Sequence, residues 1–242
     1  MSKLSSQWYS ERVEQDVDVV RWGTFGTPVL VFPTAGGDAE EIERFHLVTA
    51  CAELLDAGRV KLYSVDSLNG RILLTGEGGS GRQAWIHHQF FELLRHEVVP
   101  AIRSDCASDD IEIVAAGPSI GAFNALTCVC WFPDVFRAAV CMSGTYDLRR
   151  FFDGPIADAF ILSSAERFVA QLDGAALDEV RRRFIVLASG EGANEDIGES
   201  WAVAHALGSK GIPNRVDPWG PQWEHDWPLW RAMLPRYLEE LA

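Results

Sequence analysis

One stretch constrains this chain more than any other: Ile111-Glu-Ile-Val-Ala-Ala-Gly117-Pro-Ser119-Ile-Gly121-Ala122. An apolar run of strand character ends in Gly-x-Ser-x-Gly, and a segment of helical character containing alanine and phenylalanine follows. A strand, a sharp turn and a helix in that order form the context in which a serine stands exposed at the end of a sheet as a nucleophile. The glycines have a steric role, because the turn packs the helix tightly on the strand and forces the serine into a strained backbone conformation. The same letters also describe a tight turn whose serine caps the next helix. Deciding between these readings requires partners for Ser119 elsewhere in the chain.

Apolar segments of strand length recur on both sides of this stretch. Trp8 to Trp22 alternates polar and apolar residues and reads as an antiparallel hairpin with one solvated face. Pro28–Phe32 is a short, wholly apolar run suited to burial on both faces, Arg59–Val65, Ala138–Met142 and Phe184–Ala188 read as further strands, and Asn214–Asp217 is a last short strand. Helical patterns separate them, from Ala39 to Ala57, Arg82 to Arg103, Ile120 to Trp131, Ser200 to Leu207 and Trp227 to Leu241. Such alternation predicts an α/β fold with a mostly parallel central sheet, an N-terminal antiparallel hairpin and helices on both faces. The length of 242 residues suits one domain spanning 1–242, with a mainly helical, cap-like insertion at about 148–183 after the strand that follows the serine turn. Phe151, Phe152, Phe160, Ile161 and Leu162 make that insertion apolar enough to cover a pocket, or simply to pack on the body.

The balance of 21 Lys+Arg against 35 Asp+Glu leaves a formal charge of −14, which excludes a nucleic-acid backbone or an anionic membrane surface as the main partner. The first residues lack the apolar core of a signal peptide and no run approaches a membrane span, so a cytoplasmic location is expected. The five cysteines are an odd number in mostly apolar surroundings, which predicts buried free thiols, and Cys128-Val-Cys130 is not a metal-ligand spacing. Gly76-Glu-Gly-Gly-Ser-Gly81 lacks the Lys-Ser/Thr of a phosphate loop and reads as a flexible loop. Asp66 to Arg71 reads as a further turn-rich loop, and His87, His88 and His96 as packing or surface residues of a long helix.

A serine hydroxyl needs a base to take its proton, and the base needs an acid to fix its tautomer. The order expected is Ser, then Asp or Glu, then His. Two histidines follow Ser119: His205 falls inside a helical segment, whereas His225 lies in the Pro- and Gly-bearing loop Trp219–Trp227 between the last strand and the last helix, so His225 is the expected base. The loop after the penultimate strand offers Glu191, Glu195 and Asp196; Glu195 is the first choice of acid, Asp196 the second, and Asp147 after the preceding strand an alternative position. An oxyanion needs backbone donors, expected from Ile120 directly after the nucleophile and from the loop Pro33-Thr-Ala-Gly-Gly37, where Ala35 is the first choice and Thr34 the second.

Four pieces of the chain carry a family resemblance: Gly117-Pro-Ser-Ile-Gly-Ala122, Phe132-Pro-Asp-Val-Phe136, Ser143-Gly-Thr-Tyr-Asp147 and His225-Asp-Trp-Pro-Leu-Trp230. Together they resemble the putative esterase (esterase D-like) family of α/β-hydrolases, related to S-formylglutathione hydrolases and mycolyltransferases. The resemblance implies an α/β-hydrolase fold and a serine hydrolase using Ser119, an acid after the penultimate strand and His225. The chain departs from it at Pro33-Thr34-Ala35, where many members carry His-Gly. The expected activity is cleavage of a small-molecule carboxylic ester, or a thioester, through an acyl-enzyme on Ser119, with no metal or organic cofactor. The alternatives are an acyltransferase using the same triad and a non-catalytic binding module that retains the fold. A homo-oligomer is compatible with the sequence.

Overall fold

Every residue of Ile113–Pro118 is buried, and successive side chains of this strand enter two different cores. Ile113 and Ala115 join Phe90, Phe123 and Leu207 on one face, while Val114 and Ala116 join Leu54, Trp230 and Met233 on the other. A strand apolar at consecutive positions has no solvated face, so helices must cover both sides. The computed structural model describes residues 2–151 and 164–242 and shows that arrangement.

The strands are β1 (Lys3–Ser10), β2 (Gln15–Trp22), β3 (Thr27–Val31), β4 (Val60–Val65), β5 (Ile113–Pro118), β6 (Phe136–Met142), β7 (Phe184–Ser189) and β8 (Asn214–Pro218). They form one sheet in the order β1-β2-β4-β3-β5-β6-β7-β8. β1 and β2 make the predicted antiparallel hairpin, β2 is antiparallel to β4, and the pairings from β4 through β8 are parallel. β5 therefore lies inside the sheet between β3 and β6, and the loops leaving β3, β5, β6, β7 and β8 emerge at one carboxyl edge. In open parallel sheets that edge is where sites are built.

The helices are α1 (Glu41–Arg44), α2 (Leu47–Ala50), α3 (Ala52–Asp56), α4 (Leu68–Thr75), α5 (Gly79–Leu93), α6 (Val99–Asp105), α7 (Ile120–Trp131), α8 (Ala165–Gln171), α9 (Gly174–Val180), α10 (Ile197–Ser209) and α11 (Trp227–Leu241). The single helix expected over Ala39–Ala57 is instead three short ones, because His46 takes a left-handed φ of 63° and Cys51 leaves helical geometry. Between α5 and α6, Leu94–Val98 forms a π turn in which the Val99 N–H reaches the Leu94 carbonyl. Pro100 has no N–H to give the preceding turn and its ring crowds that turn's carbonyl, so the helix widens just before it. The turn-rich reading of Asp66–Arg71 is corrected: Asn69 and Gly70 belong to α4. The glycine-rich segment is likewise shorter than expected as a loop, since α5 begins at Gly79.

Within the insertion, Leu148–Phe151 forms a 3₁₀ turn and α8 and α9 follow, with Val169 fully buried against the body. Phe152, Phe160, Ile161 and Leu162 lie outside the described residues. All five cysteines are free thiols. Burial pushes the thiols of Cys51 and Cys130 up to about 12, which leaves them protonated and unreactive at neutral pH. Among the described residues no helix is long and apolar enough to cross a membrane.

Candidate active site

Ser119 sits at the junction of β5 and α7 with φ 56° and ψ −119°. A non-glycine residue there costs on the order of 1–3 kcal/mol and persists only where its surroundings impose it. The surroundings are backbone. A Cβ on Gly117 would come within 2.6 Å of the Gly121 carbonyl carbon, and one on Gly121 within 2.4 Å of the Phe32 carbonyl oxygen. The turn is thus wedged between its own helix and the end of β3. The Ser119 N–H donates to the Met142 carbonyl at 2.9 Å, and its carbonyl accepts from Thr145 N–H at 3.1 Å, which ties the turn to the loop after β6. The Ser119 hydroxyl lies 3.4 Å from the Thr145 hydroxyl.

Thr145 also lines a pocket of about 320 Å³ whose described walls include Ser143, Phe151, Asn194, Glu195 and His225. The base candidate and the acid candidate therefore line one pocket from two different loops, and the nucleophile candidate adjoins it through Thr145, which forms part of the pocket wall. Glu195 Oε2 stands 3.6 Å from His225 Nδ1, with the Glu195 side chain 1% exposed and that of His225 23%. Among the described residues no hydrogen bond joins Ser119 to His225. Such contacts are often loose without substrate and tighten in the complex.

The proximity of acid and base follows from how their loops pack. Gly192 N–H donates to the Trp223 carbonyl at 2.9 Å, Glu191 N–H to the Gly220 carbonyl at 3.1 Å, and His225 N–H to the Ala193 carbonyl at 3.0 Å. A Cβ on Gly192 would lie 2.5 Å from the Trp223 oxygen, so only glycine permits this lacing. Asn194 adopts φ 61°, which turns the chain so that Glu195 points inward. Asp196, the second choice, instead caps α10 by accepting from Gly198 N–H at 2.9 Å. Asp147 is paired with Arg149, and Glu191 and His205 are exposed.

At the oxyanion side, Ile120 is the first residue of α7, so its N–H has no carbonyl of its own helix to bond. Thr34 is corrected as a donor: its N–H already donates to Glu41 Oε2 at 2.7 Å, and its hydroxyl to Glu41 Oε1 at 2.8 Å. Ala35 keeps its candidacy. Burial pushes the Glu41 carboxyl up from its usual range, and the two Thr34 donors pull it back. The loop is further held by Ser67 N–H donating to the Gly37 carbonyl at 3.0 Å and by Ala39 N–H donating to Asp66 Oδ1 at 2.9 Å.

Four residues of the site were not singled out from sequence: Glu41, Ser143, Thr145 and Ser189. Ser143 and Thr145 stand in the Ser143–Asp147 segment that carried part of the resemblance, so a signal existed for both. Glu41 and Ser189 looked like ordinary helix and strand-end residues.

A family model described as Esterase, "Putative esterase", matches residues 46–241, which is more than half of the chain. The chain belongs to that esterase family. No match was found among curated proteins. Solved structures resemble this esterase along its length. A ferulic acid esterase matches with a TM-score of 0.76 at 16% identity, covering 99% of this chain and 96% of that one. The fluorophosphonate-binding serine hydrolase FphF of Staphylococcus aureus matches with a TM-score of 0.71 at 12% identity, covering 99% and 98%. An S-formylglutathione hydrolase from Agrobacterium tumefaciens matches with a TM-score of 0.67 at 13% identity, covering 98% and 93%. At these identities the structural likeness speaks for the fold, which is that of the α/β-hydrolases. Family membership makes the protein an enzyme of the esterase class.

Proposed function

We propose that this esterase hydrolyses a small-molecule carboxylic ester, or a thioester, through an acyl-enzyme on Ser119. The observation that carries the reading is the strained serine beside a pocket whose wall holds a paired histidine and buried carboxylate, at 3.6 Å. In this mechanism His225 takes the Ser119 proton as the hydroxyl attacks the acyl carbonyl, and returns it to the leaving alcohol or thiol. Water, activated by the same imidazole, then releases the acid. Glu195 faces Nδ1 of His225 and thereby leaves Nε2 as the base, and its charge stabilises the imidazolium that forms. The oxyanion is received by the N–H groups of Ile120 and Ala35.

The test is labelling with a fluorophosphonate probe. A single adduct on Ser119 of the folded protein, absent from Ser119→Ala, is expected, together with loss of turnover of short p-nitrophenyl esters in that variant. An unlabelled Ser119, or a Ser119→Ala protein that still turns over, would move the nucleophile elsewhere. A panel of esters and thioesters of graded chain length then assigns the acyl group, and added alcohols reveal whether acyl transfer competes with water. We place the enzyme in the cytoplasm, with no nucleic-acid or membrane partner and no cofactor.

A further inference from the structure

Glu195 poses a solvation problem. Its side chain is 1% exposed, and among the described residues its ion-pair partner is His225, with no guanidinium or ammonium group beside it. A carboxylate out of water stays ionised only if other groups replace the lost hydration. Two hydroxyls do so. Ser143 Oγ donates to Oε1 at 2.5 Å, and Ser189 Oγ shares its one hydrogen between Oε2 and the Gly190 carbonyl, each at 3.0 Å. The Ser143 hydroxyl in turn accepts from the Trp230 indole N–H at 2.9 Å. A hydroxyl that accepts from one side has its own hydrogen directed to the other, so the indole sets the direction of the Ser143 donor.

Two further observations set this chain of contacts apart from ordinary packing. Ser143 adopts φ 48°, a conformation that favours glycine, yet the chain places there a 2%-exposed residue whose hydroxyl bridges two partners. Strain of this kind is a pointer to function. Trp230, 3% exposed, also stands edge-on to the His225 ring at 5.2 Å and 89°. One side chain thus touches the imidazole with its ring and reaches the carboxylate through Ser143.

We propose that Ser143 and Trp230 are positioning residues that act through Glu195: a relay from indole N–H to serine hydroxyl to carboxylate holds the acid in the orientation that faces His225. The inference rests on the reading of Ser119, His225 and Glu195 as a triad. His225, Asp196 and Glu199 are the titratable groups that line the pocket with Glu195. Removal of the Ser143 hydroxyl deprives the buried carboxylate of the donor that the Trp230 indole directs at Oε1.

The experiment is a double-mutant cycle with Ser143→Ala and Trp230→Phe, reading kcat, KM and the pH profile of kcat/KM on a p-nitrophenyl ester. Ser143→Ala should lower kcat roughly 10- to 100-fold, as loss of a hydrogen bond to a charged group does, with little change in KM, and move the acid limb of the profile. Trp230→Phe keeps a ring against His225 but removes the N–H, and should lower kcat roughly 3- to 10-fold, the weight of a neutral hydrogen bond. The double variant should be no slower than Ser143→Ala alone, because Trp230 reaches Glu195 through Ser143. Full kcat in either single variant, an unmoved acid limb, or a Trp230→Phe loss that persists undiminished in the Ser143→Ala background would overturn the relay. Should Ser143→Ala fail to fold, Trp230→Phe decides by itself. Fluorophosphonate labelling of the unmutated chain separates the two failures: a labelled Ser119 with wild-type kcat in Ser143→Ala sinks the relay, whereas an unlabelled Ser119 sinks the triad beneath it.

Discussion

Glu195 and Asp196 are chemically similar neighbours with opposite surroundings. Glu195 is buried against His225, Ser143 and Ser189, whereas Asp196 is exposed and caps α10. Glu195→Gln should therefore lower kcat by roughly 10³ or more, since an acid that no longer fixes the imidazole tautomer disables the base. Asp196→Asn should leave kcat within about 3-fold, because asparagine caps a helix about as well as aspartate. Steady-state kinetics on both variants checks the assignment, and collapse of the Asp196→Asn enzyme alone would reverse it. Sequence order pointed to this loop, but the choice between adjacent carboxylates depends on which one the left-handed Asn194, φ 61°, turns inward, in a loop whose neighbouring Ala193 carbonyl accepts from His225 N–H.

Among the elements, the β5–α7 turn depends on contact between backbones. Gly121→Ala would put a methyl 2.4 Å from the Phe32 carbonyl oxygen and 2.7 Å from that of Pro33, neither of which can rotate away. The expected cost is about 1–3 kcal/mol, the range for overpacking, read as a shift in the urea midpoint. Because the same displacement moves the Ile120 N–H, fluorophosphonate labelling should slow as well; wild-type stability and labelling would mean that the turn relaxes freely. The elements misread from sequence are instructive here. Asn69 and Gly70 look like turn residues, yet Asn69 is fully buried, donating through Nδ2 to Asn124 Oδ1 at 2.7 Å, and Gly70 lies where a Cβ would come 2.7 Å from the Ala35 carbonyl oxygen. Local propensity favours a loop, and long-range hydrogen bonding and close packing override it.

For the molecule as a whole, His87 links folding to pH. It is buried between Phe91 and Phe123, at ring distances of 5.2 Å and 5.7 Å. Burial, with a smaller contribution from the His88 charge, lowers it from 6.5 to about 3. A depressed histidine is neutral in the folded chain and protonated in the unfolded one, so its stabilising contribution is present above pH 6.5 and is lost progressively as pH falls toward 3. The loss amounts to about 1.4 kcal/mol per pH unit within that window. Burial raises the Glu41 and Asp66 carboxyls, which acts in the opposite sense, since a raised carboxyl favours the folded state as acid is added. Urea unfolding from pH 7 down to pH 4 should show a shallower decline in His87→Gln than in the unmutated chain, even though the variant starts less stable. Parallel declines would remove His87 as the group responsible.

The periodicity of apolar residues by itself determined the α/β class, the parallel sheet with its N-terminal hairpin, the span of α11 and the position of Ser119 in the turn between strand and helix. These features follow from near neighbours in the chain: side-chain alternation along a strand, glycines on either side of a serine, proline and glycine between periodic runs. Order along the chain also brought His225 and the Glu195 loop into consideration, because the carboxyl ends of successive parallel strands share one edge. Tertiary structure alone decided which carboxylate meets the imidazole, that Thr34 donates to Glu41, and that Ser143, Ser189 and Trp230 stand around Glu195. Those outcomes depend on distances of a few ångströms between residues tens of positions apart, and a linear pattern carries no information about such distances until packing has fixed them.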